Sequence, residues 1–251
     1  MTKMKRWVSL VCVSMSLLFA LPAHAQQVLG ANDQPIHDAA RVGNGQEVGA
    51  ILKAQPAARD ARTAQGSTPL HKSKELARSL GLKNLLLKDE TARLGLPAFK
   101  VLGAGFAIAH LMSEGRIARG DLLVCASEGN HGRAVARVAR LHGLRARVYV
   151  GARVAASRAD AIALEGAEVV RLDGTYDDAV RRAAEDAAAP GTHVISDTSW
   201  PGYEEIPRLI MLGYTRLMDE AVRQWKSKAP DVVFVQGGVG GLAAAVASWY
   251  A

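Results

Sequence analysis

From residue 84 onward, short aliphatic runs alternate with segments of helical periodicity, and this alternation narrows the fold of the 251-residue chain more than any other feature. The run "NLLLK" precedes a helix predicted near 99–114, "DLLVCAS" one near 131–142, "RVYV" one near 157–165 and "EVVRL" one near 175–188. "THVIS" then leads to a long helix near 207–225, and "DVVFVQ" to a last helix from about 241. Strands separated by helices and short connections pair in parallel, so the predicted class is α/β, a mainly parallel sheet with helices on both faces. In such sheets ligands collect at the carboxyl ends of the strands, which directs attention to the loops that follow them.

Two segments precede this region. Lys3, Lys5 and Arg6 lead into the apolar run "WVSLVCVSMSLLFALP", which ends at Ala23-His24-Ala25. That order is the pattern of a secretory signal with an A-x-A cleavage site before Gln26. A membrane anchor or a buried helix shares the composition, but the run falls short of the roughly 20 residues that a span needs. Cleavage would remove three positive charges and no negative ones, taking the net charge from +7 to +4, and would place the mature chain in the periplasm or outside the cell. Cys12 would leave with the signal, so Cys125 would stand alone, with no intrachain disulfide and no Cys/His metal spacing. Nucleic-acid binding is disfavoured: aromatics are 5% of the chain, and the arginines of "RAVARVARLHGLRAR" fall at helical spacing, as on a solvated face.

Residues 33–71 hold a near-repeat, Pro35-Ile36-His37 and, 34 positions later, Pro69-Leu70-His71. The order of turn, "IHDAARVG", "QEVGAILKA" and a polar "RDARTAQGSTPLH" resembles one ankyrin repeat, although an incidental helical hairpin has the same pattern. A single such unit cannot bury its own apolar face and must lean on its neighbour. The expected domains are a signal at 1–25, an ankyrin-like repeat at 26–67 and an α/β domain at 68–251.

Three features of that last domain carry chemistry. "GLPAFKVLGAGFA" sets Lys100 at a helix start among Gly, Ala, Phe and Val, with no carboxylate beside it in sequence. Burial there disfavours an ammonium and makes the amine nucleophilic towards a carbonyl, while a surface lysine whose stem covers apolar area fits the pattern as well. After "DLLVCA" comes "SEGNHGRA", which offers Asn130 and His131 at a helix start. After "DVVFVQ" comes "GGVGGLAAAV", whose backbone N–H groups and helix N-terminus suit a phosphate. Each glycine loop alone is equally well read as a tight packing turn. An amine, a phosphate cradle and polar donors are together what pyridoxal 5'-phosphate requires.

The segments "TPLHKSKELARSLGLKNLLLKDETARLGLPAFKVLGAGFAI", "SEGNHGRAVA", "SDTSWPGYEEIPRLIMLGYTRL" and "VVFVQGGVGGLAAAV", in order over 68–251, resemble the fold-type II (tryptophan synthase β-like) pyridoxal-phosphate enzymes, and within them the diaminopropionate ammonia-lyases. The resemblance implies α,β-elimination of 2,3-diaminopropionate to pyruvate and ammonia. It implies that Lys100 bonds the cofactor, that Asn130 meets its ring hydroxyl and that Gly237, Gly238, Gly240 and Gly241 line its phosphate. Asp197 matches the acid that takes the α-proton of the L-substrate, with Ser127 and His131 near it by position. Glu128 stands where the family has aspartate, the base for the D-substrate; the added methylene shifts the carboxylate by on the order of 1.5 Å and puts D-isomer turnover in doubt.

The serine and threonine dehydratases share "SEGNHG" but lack a counterpart of "SWPGYEEIPR". The family continues beyond the glycine loop and forms homodimers, whereas this chain stops in the following helix, so a weak or inactive lyase and an incomplete sheet are expected. The other reading is an exported ankyrin-type module that binds a protein partner and carries an inert lyase-like portion. Family relatives are cytoplasmic, at odds with an export signal. A small amino acid is the expected substrate, and no metal, nucleic acid or, after cleavage, membrane is expected as a partner.

Overall fold

The computed structural model describes strand Val8–Val13 and residues 67–226 and 229–251. The ankyrin-like segment, except for its last residue, lies outside the described residues. In chain order the elements are β1 (Val8–Val13), β2 (Leu70–Lys72), α1 (Lys74–Ser79), β3 (Asn84–Asp89), α2 (Lys100–Ser113), β4 (Leu122–Ala126), α3 (Asn130–His142) and β5 (Arg145–Gly151). There follow α4 (Ala156–Ala163), β6 (Glu168–Leu172), α5 (Tyr176–Asp186), β7 (Thr192–Val194), α6 (Glu205–Trp225), β8 (Val232–Phe234) and α7 (Gly241–Tyr250). They divide into two compact units, one running to Ala98 and resuming at Thr215–Ala251, the other spanning Phe99–Tyr214.

The Phe99–Tyr214 unit is built on a parallel sheet of order β6-β5-β4-β7. Leu123, Val124, Cys125 and Val148 on its two middle strands have no exposed surface, which is why those strands read as continuous apolar runs and not as alternating ones. Ala179 and Ala183 of α5 pack on Val124 and Tyr149, and α5 opens with a capping box between Thr175 and Asp178. Helix α3 turns Val135 and Val138 inward and ends at Gly143, whose left-handed φ of 70° a residue with a Cβ rarely adopts. Its arginines are more than a solvated face: Arg133 and Arg137 bond the buried Glu165 at 3.0 and 2.5 Å, and Arg140 lies 3.8 Å from it. Sequence spacing put them on one side; the carboxylate that gathers them lies beyond the next strand.

Helices α2 and α6 approach so closely that glycine is required. A methyl group on Gly103 would lie 2.5 Å from Tyr214 Cε1 and 2.8 Å from the Ile210 carbonyl oxygen, and one on Gly213 would overlap the Leu102 backbone.

The other unit holds a sheet of order β2-β3-β1-β8, in which β1 runs parallel to both neighbours and β2 antiparallel to β3. The sequence predicts one mainly parallel sheet, whereas among the described residues the strands form two sheets of four. Strand β2 and helix α1 were not foreseen. The run read as the core of a signal supplies β1, in register from Val8 with Asn84 to Val13 with Asp89. The two uses demand the same composition, because an apolar segment rich in valine suits both a signal core and an inner strand.

This unit also holds a buried cluster of two cations and two anions. Lys88 Nζ donates to Glu220 at 2.8 Å and to the Thr68 carbonyl at 2.6 Å. Arg93 donates to Glu90 and, through both terminal nitrogens, to Glu220 at 2.8–2.9 Å. All four charged side chains are nearly inaccessible to water. Thr68 and Gln224 complete the network: the Thr68 hydroxyl donates to Glu90, and Gln224 Nε2 donates to the Thr68 carbonyl at 2.8 Å.

Candidate active site

Lys100 is the first residue of α2, where the helix dipole disfavours a cation. A carboxylate compensates: Asp197, on the loop after β7, accepts a hydrogen bond from Lys100 Nζ, and their side chains are 22% and 6% exposed. The apolar surroundings read from the sequence are therefore only part of the lysine's environment. Phe99 and Tyr214 supply the rest, their ring centroids 5.7 and 5.8 Å from Nζ and packed edge-to-face 5.0 Å apart.

His131 adds the third group. Its Nε2 lies 2.7 Å from the Ile195 carbonyl, so that nitrogen carries the proton, and its Nδ1 stands 3.7 Å from the Asp197 carboxylate. Nδ1 and the Tyr214 hydroxyl are buried without a hydrogen-bond partner. Burial, with the Lys100 charge acting in the same direction, pushes the imidazole below its usual pKa and outweighs the Asp197 carboxylate. Burial alone would raise the Asp197 carboxyl; the charges it faces on Lys100 and on a protonated His131 outweigh that and hold it below the ordinary value. At neutral pH the unit thus presents a carboxylate in contact with an amine, beside a neutral imidazole whose free nitrogen is an acceptor.

The loop that carries His131 is folded around Ser127, whose Oγ accepts from Gly129 N at 3.1 Å and Gly132 N at 2.8 Å. A methyl group on Gly132 would meet Val148 Cγ1 at 2.8 Å, so this glycine serves packing. Asn130 opens α3 and is half-buried, while Glu128 is exposed and its carbonyl faces Arg158 at 3.5 Å. Of the residues singled out from sequence, the structure brings together Lys100, His131 and Asp197. Sequence reasoning missed Tyr214 and the part played by Phe99. A hydrophobic residue beside a lysine looks like ordinary core, and nothing local ties it to a tyrosine more than a hundred positions away.

Gly237, Gly238, Gly240 and Gly241 belong to the other unit. A methyl group on Gly237 or Gly238 would meet nothing within 4 Å, so close packing does not explain these glycines. Gly240, at φ 91°, turns the chain into α7, whose first N–H groups have no partner within the helix. In the Phe99–Tyr214 unit an amine with two buried polar atoms that lack hydrogen-bond partners suits the carbonyl end of pyridoxal phosphate, and in the other unit, taken by itself, an open glycine loop at a helix N-terminus suits a phosphate. A cavity of about 380 Å³ in the Phe99–Tyr214 unit is lined by Arg116, His193, Trp200 and Tyr203, and by neither Lys100 nor Asp197.

Comparison with known proteins agrees with this chemistry. Residues 61–251 match the family described as pyridoxal-phosphate dependent enzyme. The chain is 41% identical over 196 residues to diaminopropionate ammonia-lyase of Escherichia coli (strain K12), covering 71% of this chain and 49% of that protein. It is 31% identical over 206 residues to a biosynthetic L-threonine dehydratase of Corynebacterium glutamicum, covering 77% and 44%. The crystal structure of the Escherichia coli lyase in complex with an aminoacrylate-PLP azomethine reaction intermediate superposes with a TM-score of 0.72 at 35% identity, over 85% of this chain and 55% of that one. The chain thus spans about half the length of the curated relatives it matches.

Proposed function

Because the chain belongs to the pyridoxal-phosphate dependent enzyme family, we propose that it serves the α,β-elimination of 2,3-diaminopropionate to pyruvate and ammonia. The observation that carries this reading is the contact between Lys100 and the buried Asp197. It joins the amine of "LPAFKVLG" to the acid of "SDTSWPGY", the two segments that set the diaminopropionate lyases apart from the dehydratases.

Lys100 is the covalent anchor of the cofactor, Asn130 the partner of its ring hydroxyl, and Gly237, Gly238, Gly240 and Gly241 the cradle of its phosphate. When bound, pyridoxal phosphate supplies an electron sink for the pair left by a departing α-proton. Asp197 is ionised at neutral pH and can take that proton, and a freed Lys100 amine is the second group able to do so. The β-amine can leave only as ammonia, so a proton must reach its nitrogen, and the Lys100 ammonium is a donor within the site. His131, its Nε2–H held by Ile195, turns an acceptor towards Asp197 and orients an N–H or O–H brought there. Ammonia release is expected from L-2,3-diaminopropionate and about a hundredfold more slowly from the D-isomer, because Glu128 replaces a shorter carboxylate. Faster turnover of L-threonine or L-serine would move the assignment to the dehydratases, which the 31% identity to the Corynebacterium enzyme favours as the second reading.

Residues 1–25 serve as a secretory signal, 26–67 as an ankyrin-like surface for a protein partner and 68–251 as the lyase domain, assembled as a homodimer. The bonds from Thr68 to Glu90 and Glu220 support a boundary before residue 68. Signal cleavage and strand β1 exclude each other in one molecule. N-terminal sequencing of protein produced with its leader in a bacterium is expected to begin at Gln26, in the periplasm. A chain that still holds residues 8–13 would mean that the run is kept for the sheet.

A further inference from the structure

The segment after Asp197 carries a tyrosine whose hydroxyl stands in for a strand. In the sheet of the Phe99–Tyr214 unit, β7 is the end strand, paired on one side with β4. On that inner side, Ile195 continues the ladder: its N–H donates to Val124 O at 2.9 Å, and its carbonyl accepts from His131 Nε2 at 2.7 Å. On the outer side, the Val194 carbonyl and the Ser196 N–H point away from β4, as alternate groups of a strand must. A neighbouring parallel strand would satisfy this pair with one residue. Here the Tyr203 hydroxyl does both, donating to Val194 O at 2.9 Å and accepting from Ser196 N at 2.9 Å. The ring is held in turn by Trp200, stacked at 4.1 Å with an interplanar angle of 11°, across a turn closed by Tyr203 N–H to Trp200 O at 2.8 Å.

We propose that Tyr203 is a positioning residue for Asp197: its hydroxyl locks residues 194–196 against the free edge of the sheet, and so fixes the carboxylate that meets Lys100 and His131. Without the bridge, two backbone groups next to the site would lose their partners, and the strand end could pivot about its single remaining ladder. Burial, outweighing the Ser196 N–H that points at the oxygen, raises the phenol pKa well above its usual value, so the hydroxyl keeps the proton it must donate. The catalytic consequence rests on the role proposed above for Asp197; the positional one does not.

The test is Tyr203→Phe, which removes one oxygen and keeps the ring on Trp200. Ile162→Val, in α4 and outside the apolar cluster that holds Val194, Trp200 and Tyr203, serves as a control that lowers thermal stability. In protein without cofactor, Ser196 amide exchange is expected to quicken by at least about tenfold in Tyr203→Phe and not in the control. The Asp197 carboxyl, followed by carbon NMR, should titrate higher because it loses its fixed contact with Lys100. Once loaded with pyridoxal phosphate, the variant should lose about ten- to a hundredfold in kcat with little change in KM. An unchanged Ser196 amide and an unchanged Asp197 titration would overturn the proposal, whatever the activity. Failure of the parent to bind the cofactor would sink the proposed function and leave these two readouts to decide the role of Tyr203. If Tyr203→Phe does not fold, the parent alone suffices: a Tyr203 hydroxyl proton in slow exchange and close to the Ser196 amide supports the bridge, and a freely exchanging one overturns it.

Discussion

Protein carrying Lys100→Ala, mixed with pyridoxal phosphate and freed of the excess, is expected to show no visible band of bound cofactor, whereas the parent keeps a yellow one. Only an amine that can reach the cofactor's carbonyl carbon forms the bond, and Lys100 sits at a helix start against a carboxylate and two aromatic rings. Lys88 is no substitute, since its ammonium is committed to Glu220, Gln224 and the Thr68 carbonyl and is closed off from water. Ammonia release should fall by at least about 10²- to 10⁴-fold, the range ascribed to a positioned proton-transfer group, before the lost covalent anchor is counted. Removing the lysine also strands a buried carboxylate, so Lys100→Arg belongs beside it. Arginine keeps a positive charge opposite Asp197 and cannot make the bond, which separates lost chemistry from lost fold. Borohydride reduction followed by peptide mapping should find the label on Lys100 in the parent. Equal labelling of the alanine variant would end the assignment.

Glu220→Ala should be the most destabilising single change among the buried charges, by about 3–5 kcal/mol in urea unfolding at neutral pH. Glu220 is bonded by Lys88, Arg93 and the half-buried Arg216, so its deletion leaves the two buried cations facing Glu90 alone and takes a partner from Arg216 as well. A loss of that size is a large part of the roughly 5–15 kcal/mol that holds a typical domain together. The pH dependence gives a second check. Burial alone would raise the Glu220 carboxyl; hydrogen bonds and charge from Arg93 and Lys88 outweigh it and hold the pKa at about 2, against 4.5 for the free group. A depressed carboxylate contributes fully above its unfolded value and progressively less as pH falls towards its folded one. The difference between parent and variant should therefore be constant above about pH 5 and shrink between pH 4.5 and about 2. A difference independent of pH across that interval would show that packing, and not charge, is what Glu220 contributes.

The parts of the fold that were legible in sequence are those set by local pattern. Each predicted helix from 99 to 225 and each strand from "NLLLK" to "DVVFVQ" is present within a few residues, because an inner parallel strand is an unbroken apolar run and the helices between them are amphipathic. Lys100 was legible by its setting and Asp197 by the segment around it. Strand β2 was not: three residues, one of them half-buried and two exposed, leave no periodicity to read. Nor was the division into two sheets, because an apolar run announces a strand without naming its neighbour.

What the sequence determined by itself, then, is the kind of element at most positions from residue 84 onward and the setting of Lys100, since both depend on side chains a few residues apart. Tertiary structure alone decided which groups meet. It set Asp197 against Lys100 across 97 positions, aimed the unpartnered Nδ1 of His131 at the same carboxylate, and gave Tyr203 the edge of β7 to close. It also made one apolar run at the N-terminus the neighbour of both β3 and β8. The physical reason is common to all of these. A hydrogen bond or ion pair between distant residues depends on distances of a few ångströms that arise only when separate elements pack, and no local pattern of residues encodes them.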